Sequence, residues 1–173
     1  MAKERKDLFN WKGAGVTLVG DPVKPGDQAP DATLTAQDLS DVALSKWADK
    51  IRVLNVVPSL DTAVCDQQTK RFNSEAITWG DKVVVLTISM DLPFAQKRWC
   101  GATGSDKVVT LSDYRLRDFG DKWGLYVKEK GLLARSVWVI DTKGIVNLAQ
   151  ITRDVGELPN FDAAIEAVRG LTR

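Results

Sequence analysis

The sequence predicts a single α/β domain with an N-terminal β-hairpin, and three observations support this prediction. Residues 51–57 (IRVLNVV) and 82–89 (KVVVLTIS) are nearly continuous apolar and β-branched runs, typical of strands covered on both faces in a mostly parallel sheet. A segment of helical length, residues 65–80, separates them and completes a βαβ unit. With 173 residues and 44% apolar composition, the chain is long enough for one compact core.

The N-terminal half continues this pattern. The first thirty residues are rich in glycine and proline around the alternating run VTLVG at 16–20, which predicts a hairpin. The helix between the two central strands follows Asp61 and Thr62, which can cap its N-terminus, and ends at Gly80. Residues 92–100 predict a second helix with Pro93 in its first turn.

The C-terminal half adds further elements of both kinds. Residues 107–112 (KVVTLS) predict a strand, and residues 113–123 predict a helix. ARSVWVID (134–141) and GIVNLAQIT (144–152) predict two strands joined by a turn at 142–144. A last helix is expected to begin near Pro159, which gives the order βαβαβαββα after the hairpin.

Composition excludes several classes of function. The formal net charge is +1, from 24 basic and 23 acidic side chains, so nothing indicates binding to nucleic acid or to an anionic membrane. No apolar run has the length of a signal peptide or a membrane span, and we therefore expect a cytoplasmic protein. Two cysteines and no histidine are too few for a disulfide scaffold or a structural zinc site, and we expect neither a metal nor a cofactor.

Cys65 has the most informative position of any residue in the sequence. It follows a central strand and the string PSLDT, so it is predicted to lie at the carboxyl end of that strand, in the opening turn of a helix. Open α/β sheets bind ligands there, and the helix macrodipole and free backbone N–H groups favour a thiolate. The alternative is an unreactive buried cysteine that packs as a small hydrophobe.

Four segments resemble a known family. PSLDTAVCDQQTKRFN (58–73), DLPFAQKRWCGATG (91–104), TLSDYR (110–115) and KGLLARSVWVID (130–141) are similar, in this order, to the thiol peroxidase subfamily of the atypical two-cysteine peroxiredoxins. The resemblance implies a thioredoxin-like fold, with a central mixed sheet flanked by helices. It implies a single domain at 14–173 and leaves residues 1–13 as an N-terminal extension.

The resemblance also implies roles for five residues. Cys65 would be the peroxidatic nucleophile that becomes a sulfenic acid, and Cys100 would be the resolving cysteine that condenses with it into an intrachain disulfide. Thr62 would orient thiolate and peroxide, Pro58 would shield the site from water, and Arg135 would be the active-site arginine. Taken singly, a threonine and a proline before a helix are ordinary, and an arginine that opens a strand is usually solvated.

The implied partners are a peroxide substrate, hydrogen peroxide or an alkyl hydroperoxide, and a thioredoxin-type reductant. The resemblance further implies a homodimer formed through surfaces beside the active site. Aromatic side chains at Trp79, Trp99, Trp123 and Phe94 could serve such an interface, and core packing is the alternative for each.

The two cysteines are predicted to lie at the start of one helix and the end of another. A disulfide requires Cα atoms within about 7 Å, so turnover is expected to need local unwinding around one or both cysteines. The indole of Trp99, next to Cys100, would then change its surroundings in each catalytic cycle. A permanent disulfide staple is the structural alternative.

Two other functions remain open on the sequence alone. A thioredoxin-type thiol-disulfide oxidoreductase is disfavoured, because that chemistry usually has a Cys-x-x-Cys pair and Cys65 is followed by DQQ and Thr69. A non-enzymatic redox sensor on the same fold would have the same residues as an enzyme. Steady-state consumption of peroxide would separate the two, since a sensor is oxidised once and stops.

Overall fold

The computed structural model describes residues 2–173, which contain thirteen short strands and four α-helices. In chain order the strands are β1 (Glu4–Arg5), β2 (Asn10–Trp11), β3 (Ala14–Gly15), β4 (Leu18–Val19), β5 (Thr33–Thr35), β6 (Asp41–Ala43), β7 (Ile51–Val56), β8 (Val83–Ser89), β9 (Val108–Ser112), β10 (Tyr126–Val127), β11 (Leu132–Leu133), β12 (Ser136–Ile140) and β13 (Val146–Ile151). The helices are α1 (Ala63–Trp79), α2 (Pro93–Thr103), α3 (Asp118–Trp123) and α4 (Phe161–Thr172), with 3-10 turns at Leu44–Trp47 and Gly80–Lys82.

The central sheet is mixed, as predicted. Its strand order is β13-β12-β7-β8-β9-β5-β6, in which β7, β8 and β9 run parallel and the outer pairs run antiparallel. Every residue of β7 is buried, because the sheet is covered on both faces. Val53 packs in the cluster that includes Phe72 of α1 and Val168 of α4, whereas Leu54 packs on the opposite side with Trp123 of α3.

The N-terminal region pairs with the rest of the domain. Strands β2 and β3 form an N-terminal hairpin, which lies ahead of the run VTLVG on which the prediction rested, and that run contributes β4, which pairs with β1 and with β10. Phe9 is fully buried in the larger core cluster. The division into an extension at 1–13 and a domain at 14–173 stays a prediction.

Three helix boundaries differ from the sequence prediction. The helix expected at 113–123 begins at Asp118, because the Asp113 carboxylate accepts hydrogen bonds from the backbone N–H groups of Phe119 and Gly120 and therefore lies ahead of the helix. Helix α2 continues beyond Cys100 to Thr103. Helix α4 begins at Phe161, capped by the side chain of Asn160.

Strands β5 and β6 were not predicted, and they extend the sheet beyond β9. Each has only three residues, which is too short for an alternating pattern to stand out from the surrounding polar sequence. The loop between them carries Gln37, which reaches the second cysteine.

In residues 2–173, none of the helices has the combination of length and apolar character needed to cross a membrane.

Candidate active site

Cys65 lies where the sequence placed it, in the first turn of α1 just after the carboxyl end of β7, and it is fully buried. Pro58 is also buried and leads from β7 into the loop before the helix. Thr62 is the N-cap residue of α1, and its carbonyl accepts the first helical hydrogen bond from Asp66 N at 2.9 Å. Its hydroxyl does not cap the helix as expected, because it donates to the carbonyl of Ser59 at 3.1 Å.

Arg135 lies immediately before β12 and points into the same site. Its side chain is 1% exposed, so a solvated arginine at this strand opening is excluded. Nη2 donates to Cys65 Sγ at 3.2 Å, Nη1 to Gln68 Oε1 at 2.9 Å, and Nε to the carbonyl of Val155 at 2.9 Å. The fold therefore brings together the predicted nucleophile and the predicted arginine, and it holds the guanidinium from three sides.

The charge of Arg135 has an unusual environment. Arginine stays protonated in proteins, and a buried charge is costly unless it is paired. Across residues 2–173, the ion pairs that the structure forms do not include Arg135. The sulfur of Cys65 is the group beside the guanidinium that can become an anion, and a thiolate there would be its counter-ion.

A buried polar network supports the arginine. Gln68 Nε2 donates to Asn55 Oδ1 at 2.7 Å, and Asn55 Nδ2 donates to the hydroxyls of Thr69 and Thr87 at 3.0 and 3.1 Å. The sequence analysis did not identify these residues. Two signals could have found them: Gln68 lies three positions after Cys65 and so on the same helix face, and Asn55 interrupts an otherwise apolar strand.

Asp91 holds the loop that precedes Cys65. Its carboxylate accepts hydrogen bonds from the Ser59 hydroxyl at 2.6 Å, from Leu60 N at 2.8 Å and from the Ser89 hydroxyl at 2.7 Å. Asp91 lies between β8 and α2, so it ties the segment leading into the second cysteine's helix to the segment leading into the first. The sequence analysis also missed Asp91, because an aspartate before a helix is common as a capping or turn residue.

Cys100 lies in the last turn of α2 and is partly buried. Its sulfur accepts a hydrogen bond from Gln37 Nε2 at 3.8 Å, and the same amide donates to Thr110 Oγ1 at 2.6 Å. Burial raises the pKa of the Cys100 thiol, and the contacts with Thr110 and Gln37 oppose this effect. Both cysteines are free thiols in this structure.

Trp99 bridges the two cysteine-bearing helices. Its ring packs against the cluster of Val57, Leu60 and Cys65, and its Nε1 donates to Asp66 Oδ1 at 2.9 Å. Beside it is a depression of about 440 Å³ between the loop before α1 and one side of α2. It is lined by Ser59, Leu60, Asp61, Asp91, Ala95, Arg98, Trp99 and Ala102.

The structure, which describes residues 2–173, shows no group of three or more cysteine, aspartate or glutamate side chains that could ligate a metal ion.

Comparisons with known proteins identify the family of this chain. The redoxin family profile matches residues 24–165. The chain is 52% identical to a thiol peroxidase of Bacillus subtilis over 95% of this chain and 98% of that protein, and 49% identical to a thiol peroxidase of Listeria innocua over 92% and 96%. The crystal structure of a peroxiredoxin-like protein from Aquifex aeolicus is 40% identical, with a TM-score of 0.89 over 97% of this chain and 98% of that one. The chain therefore belongs to the redoxin family and, within it, to the thiol peroxidases.

Proposed function

We propose that this thiol peroxidase reduces hydrogen peroxide and organic hydroperoxides with Cys65 as the peroxidatic cysteine and Cys100 as the resolving cysteine. The observation that carries the proposal is the 3.2 Å contact between the buried Arg135 guanidinium and Cys65 Sγ. A buried cation held against a cysteine sulfur, at the end of a central strand and the start of a helix, favours the thiolate that peroxide reduction requires.

In the first step the Cys65 thiolate attacks one peroxide oxygen. The S–O bond forms as the O–O bond breaks, and the departing oxygen takes up a proton, so that Cys65–S⁻ + ROOH + H⁺ gives Cys65–SOH + ROH. Sulfur is oxidised and the peroxide is reduced. Negative charge moves from sulfur to the departing oxygen, and the Arg135 guanidinium, 3.2 Å from that sulfur, is the donor to which the proposal gives the stabilisation of this charge.

Acidity of the thiol alone would not make this reaction fast. Lowering the pKa of a thiol increases the thiolate fraction, but it also lowers the intrinsic nucleophilicity of the sulfur, with a Brønsted slope of about 0.4–0.5 in thiol exchange. A preorganised donor aimed at the departing oxygen contributes more, since removing one such donor typically costs about 3 kcal/mol. Arg135 is the donor that the geometry supports best for this role.

Thr62 and Pro58 have supporting roles in the proposal. The Thr62 hydroxyl donates its hydrogen bond to the carbonyl of Ser59. Its oxygen can still accept a hydrogen bond from a peroxide O–H. Pro58 has no N–H group and is buried at the base of the loop, where it limits hydration of the thiolate.

In the second step Cys100 attacks the sulfenic acid. The S–S bond forms, the S–O bond of Cys65–SOH breaks, and water leaves, so that Cys65–SOH + Cys100–SH gives the disulfide and H₂O. A thioredoxin-type dithiol then reduces the disulfide and is itself oxidised. This reduction returns both cysteines to thiols and makes the reaction catalytic. We propose that the protein carries it out in the cytoplasm.

We also propose that the chain forms a homodimer while the disulfide stays within each chain. Phe94 and Leu92 at the start of α2 are 65% and 51% exposed, which is unusual for neighbouring large apolar residues. Trp123, in contrast, is fully buried against Phe119 and Trp138 and is a core residue. A monomer mass in sedimentation, or an interchain disulfide on a non-reducing gel, would contradict the proposal.

Steady-state peroxide consumption with a thioredoxin-type reductant tests the function. Wild type should turn over many times, Cys65→Ser should be inactive, and Cys100→Ser should be oxidised at Cys65 but should not be recycled by the reductant. Normal turnover in Cys65→Ser would show that the nucleophile is wrongly assigned. A single equivalent consumed by wild type would indicate a sensor and not an enzyme.

A further inference from the structure

The two cysteines face different parts of the molecule although they belong to neighbouring helices. Cys65 Sγ contacts Arg135, whereas Cys100 Sγ contacts Gln37 on the far side of α2. The residue that α2 presents to Cys65 is Trp99, whose ring packs in the same cluster as that sulfur. Consecutive residues in an α-helix point about 100° apart, so Trp99 occupies the direction from which Cys100 would have to approach.

Disulfide formation therefore requires Trp99 to leave this position. The ring packs against two apolar clusters, but the depression of about 440 Å³ beside it leaves part of the seam between α2 and the loop before α1 unpacked. The directional contact that fixes the ring is the 2.9 Å hydrogen bond from Trp99 Nε1 to Asp66 Oδ1. Asp66 is adjacent to Cys65 in sequence, and Trp99 is adjacent to Cys100, so this bond joins the two redox segments directly.

We propose that the hydrogen bond between Asp66 and Trp99 is a latch that holds α2 in place during peroxide reduction and sets the rate at which Cys100 reaches the sulfenic acid. Asp66 and Trp99 are positioning residues in this scheme, and the inference rests on the proposed roles of the two cysteines. The bond exists in the closed state and must break before the S–S bond forms. A charged acceptor makes it stronger than a neutral hydrogen bond, so it contributes to the barrier of the resolving step.

The latch also decides between two fates of the sulfenic acid. While α2 stays closed, a second peroxide can oxidise Cys65–SOH to the sulfinic acid, in a step that forms a second S–O bond and releases ROH. Once α2 opens, Cys100 converts the same sulfenic acid to the disulfide and removes it from this competition. A weaker latch should therefore give faster resolution and less sulfinic acid at high peroxide concentration.

Rapid mixing of the full-length reduced protein with hydrogen peroxide tests this proposal. Samples quenched in acid with an alkylating reagent and analysed by mass spectrometry give the sulfenic acid, disulfide and sulfinic acid as separate masses. In wild type, the sulfenic acid should form at a rate proportional to peroxide concentration, and the disulfide should form in a slower step independent of it. Tryptophan fluorescence should report the slower step through Trp99, and Cys100→Ser should lack it.

Trp99→Phe and Asp66→Ala remove the donor and the acceptor separately. Trp99→Phe keeps an aromatic ring in the cluster and leaves the charge beside Cys65 unchanged. Each variant should accelerate disulfide formation about tenfold. The hydrogen bond stabilises the closed state and is broken in the open state, so its removal lowers the barrier to opening by the strength of one hydrogen bond to a partly exposed charged group. The double variant should be no faster than either single variant, because the two changes remove the same bond.

Lys70→Met is the matched control. Lys70 forms an exposed ion pair with Asp66 Oδ2 at 2.8 Å, on the carboxylate oxygen that does not accept from Trp99, and such pairs contribute little to stability. This variant should resolve at the wild-type rate. General damage to the fold would slow sulfenic acid formation and lower the midpoint of urea unfolding, whereas loss of the latch accelerates only the second step and lowers the sulfinic acid yield.

Disulfide formation at the wild-type rate in both Trp99→Phe and Asp66→Ala, with the sulfenic acid formed normally, would overturn the latch while leaving the proposed function intact. Additive acceleration in the double variant would also overturn it. Absence of any sulfenic acid in Cys100→Ser would instead contradict the proposed function itself, so the two failures are distinguishable.

Discussion

The guanidinium of Arg135 and the sulfur of Cys65 lie 3.2 Å apart although 70 positions separate them in sequence. The contact joins the first turn of α1 to the residue before β12, across the neighbouring strands β7 and β12. Because two other acceptors hold the guanidinium in place, its position does not depend on the thiol. The site is therefore organised before the peroxide arrives, as stabilisation of a transition state by fixed donors requires.

Arg135→Met should reduce the second-order rate constant for sulfenic acid formation by about 10²–10³-fold, the usual effect of removing one preorganised donor. Arg135→Lys should fall between wild type and Arg135→Met, because an ammonium keeps the charge but cannot reproduce the planar set of three hydrogen bonds. Rapid-mixing measurements on reduced protein give both constants. A wild-type rate constant in Arg135→Met would exclude the arginine from the transition state.

The raised pKa of Cys100 can be tested in Cys65→Ser, in which Cys100 is the sole thiol. Burial favours the neutral thiol, so the alkylation rate should rise with pH around a higher midpoint than in a short cysteine peptide. Gln37→Leu should move the midpoint further upward, since the Gln37 amide donates to the sulfur and favours its charged form. In denaturing urea both proteins should match the peptide, and a folded midpoint at or below the peptide value would contradict the prediction.

Asp113 is predicted to make stability depend on pH. Burial raises the pKa of this carboxyl to about 6, although backbone N–H groups of Gly120 and Phe119 donate to it. A raised folded pKa means that the native state keeps its proton longer than the unfolded state does. The favourable contribution is therefore complete below about pH 4 and is lost as the pH rises to about 6, by ~3 kcal/mol at most.

Urea unfolding of wild type and Asp113→Asn across this pH range isolates the effect. Other carboxylates titrate in both proteins, so the difference between the two unfolding free energies reports Asp113. That difference should move in favour of Asp113→Asn as the pH rises from about 4 to about 6, and then stay level. A difference that does not vary with pH, or that moves in favour of wild type, would contradict the raised pKa.

The sequence predicted the central part of the fold because its signals are local and strong. Strands β7 and β8 are apolar runs bounded by breakers, and α1 ends at Trp79, directly before Gly80, which has the positive φ of 66° that favours glycine. The short strands β5, β6, β10 and β11 carry no such signal and form because the longer elements bring them together. The helix start at Asp118 was missed because it depends on where the Asp113 carboxylate points.

The candidate site shows the same division. Cys65, Cys100 and Arg135 could be identified because they lie within recognisable segments, whereas their supporting residues could not. Gln37 and Asp91 act through contacts between separate loops and elements, which a one-dimensional pattern does not record. The different directions of Cys100 and Trp99 follow from the rotation of α2 about its axis, which is set by packing and not by propensity.

Asp91 is predicted to fix the loop before Cys65 through charge-assisted hydrogen bonds to Ser59 and to the backbone of Leu60. Asp91→Ala leaves the Leu60 N–H without its partner and should lower the unfolding free energy by about 2–3 kcal/mol. Ser59→Ala removes one of the donors and should cost about 1 kcal/mol. Sulfenic acid formation should slow more in Asp91→Ala than in Ser59→Ala, because Asp91→Ala removes the acceptor of the buried Leu60 N–H, whereas Ser59→Ala leaves that bond in place and, of the backbone bonds, removes only the longer 3.2 Å bond from Asp61 N.

A double-mutant cycle over Asp91 and Ser59 separates this contact from general destabilisation. If the 2.6 Å hydrogen bond is formed in solution, the double variant should be less destabilised than the sum of the single variants by about 1 kcal/mol or more. Lys97→Ala, on the exposed side of α2, is the matched control and should leave both stability and sulfenic acid formation unchanged. Additive effects of the two changes, measured by urea unfolding, would mean that Asp91 does not position the loop through Ser59.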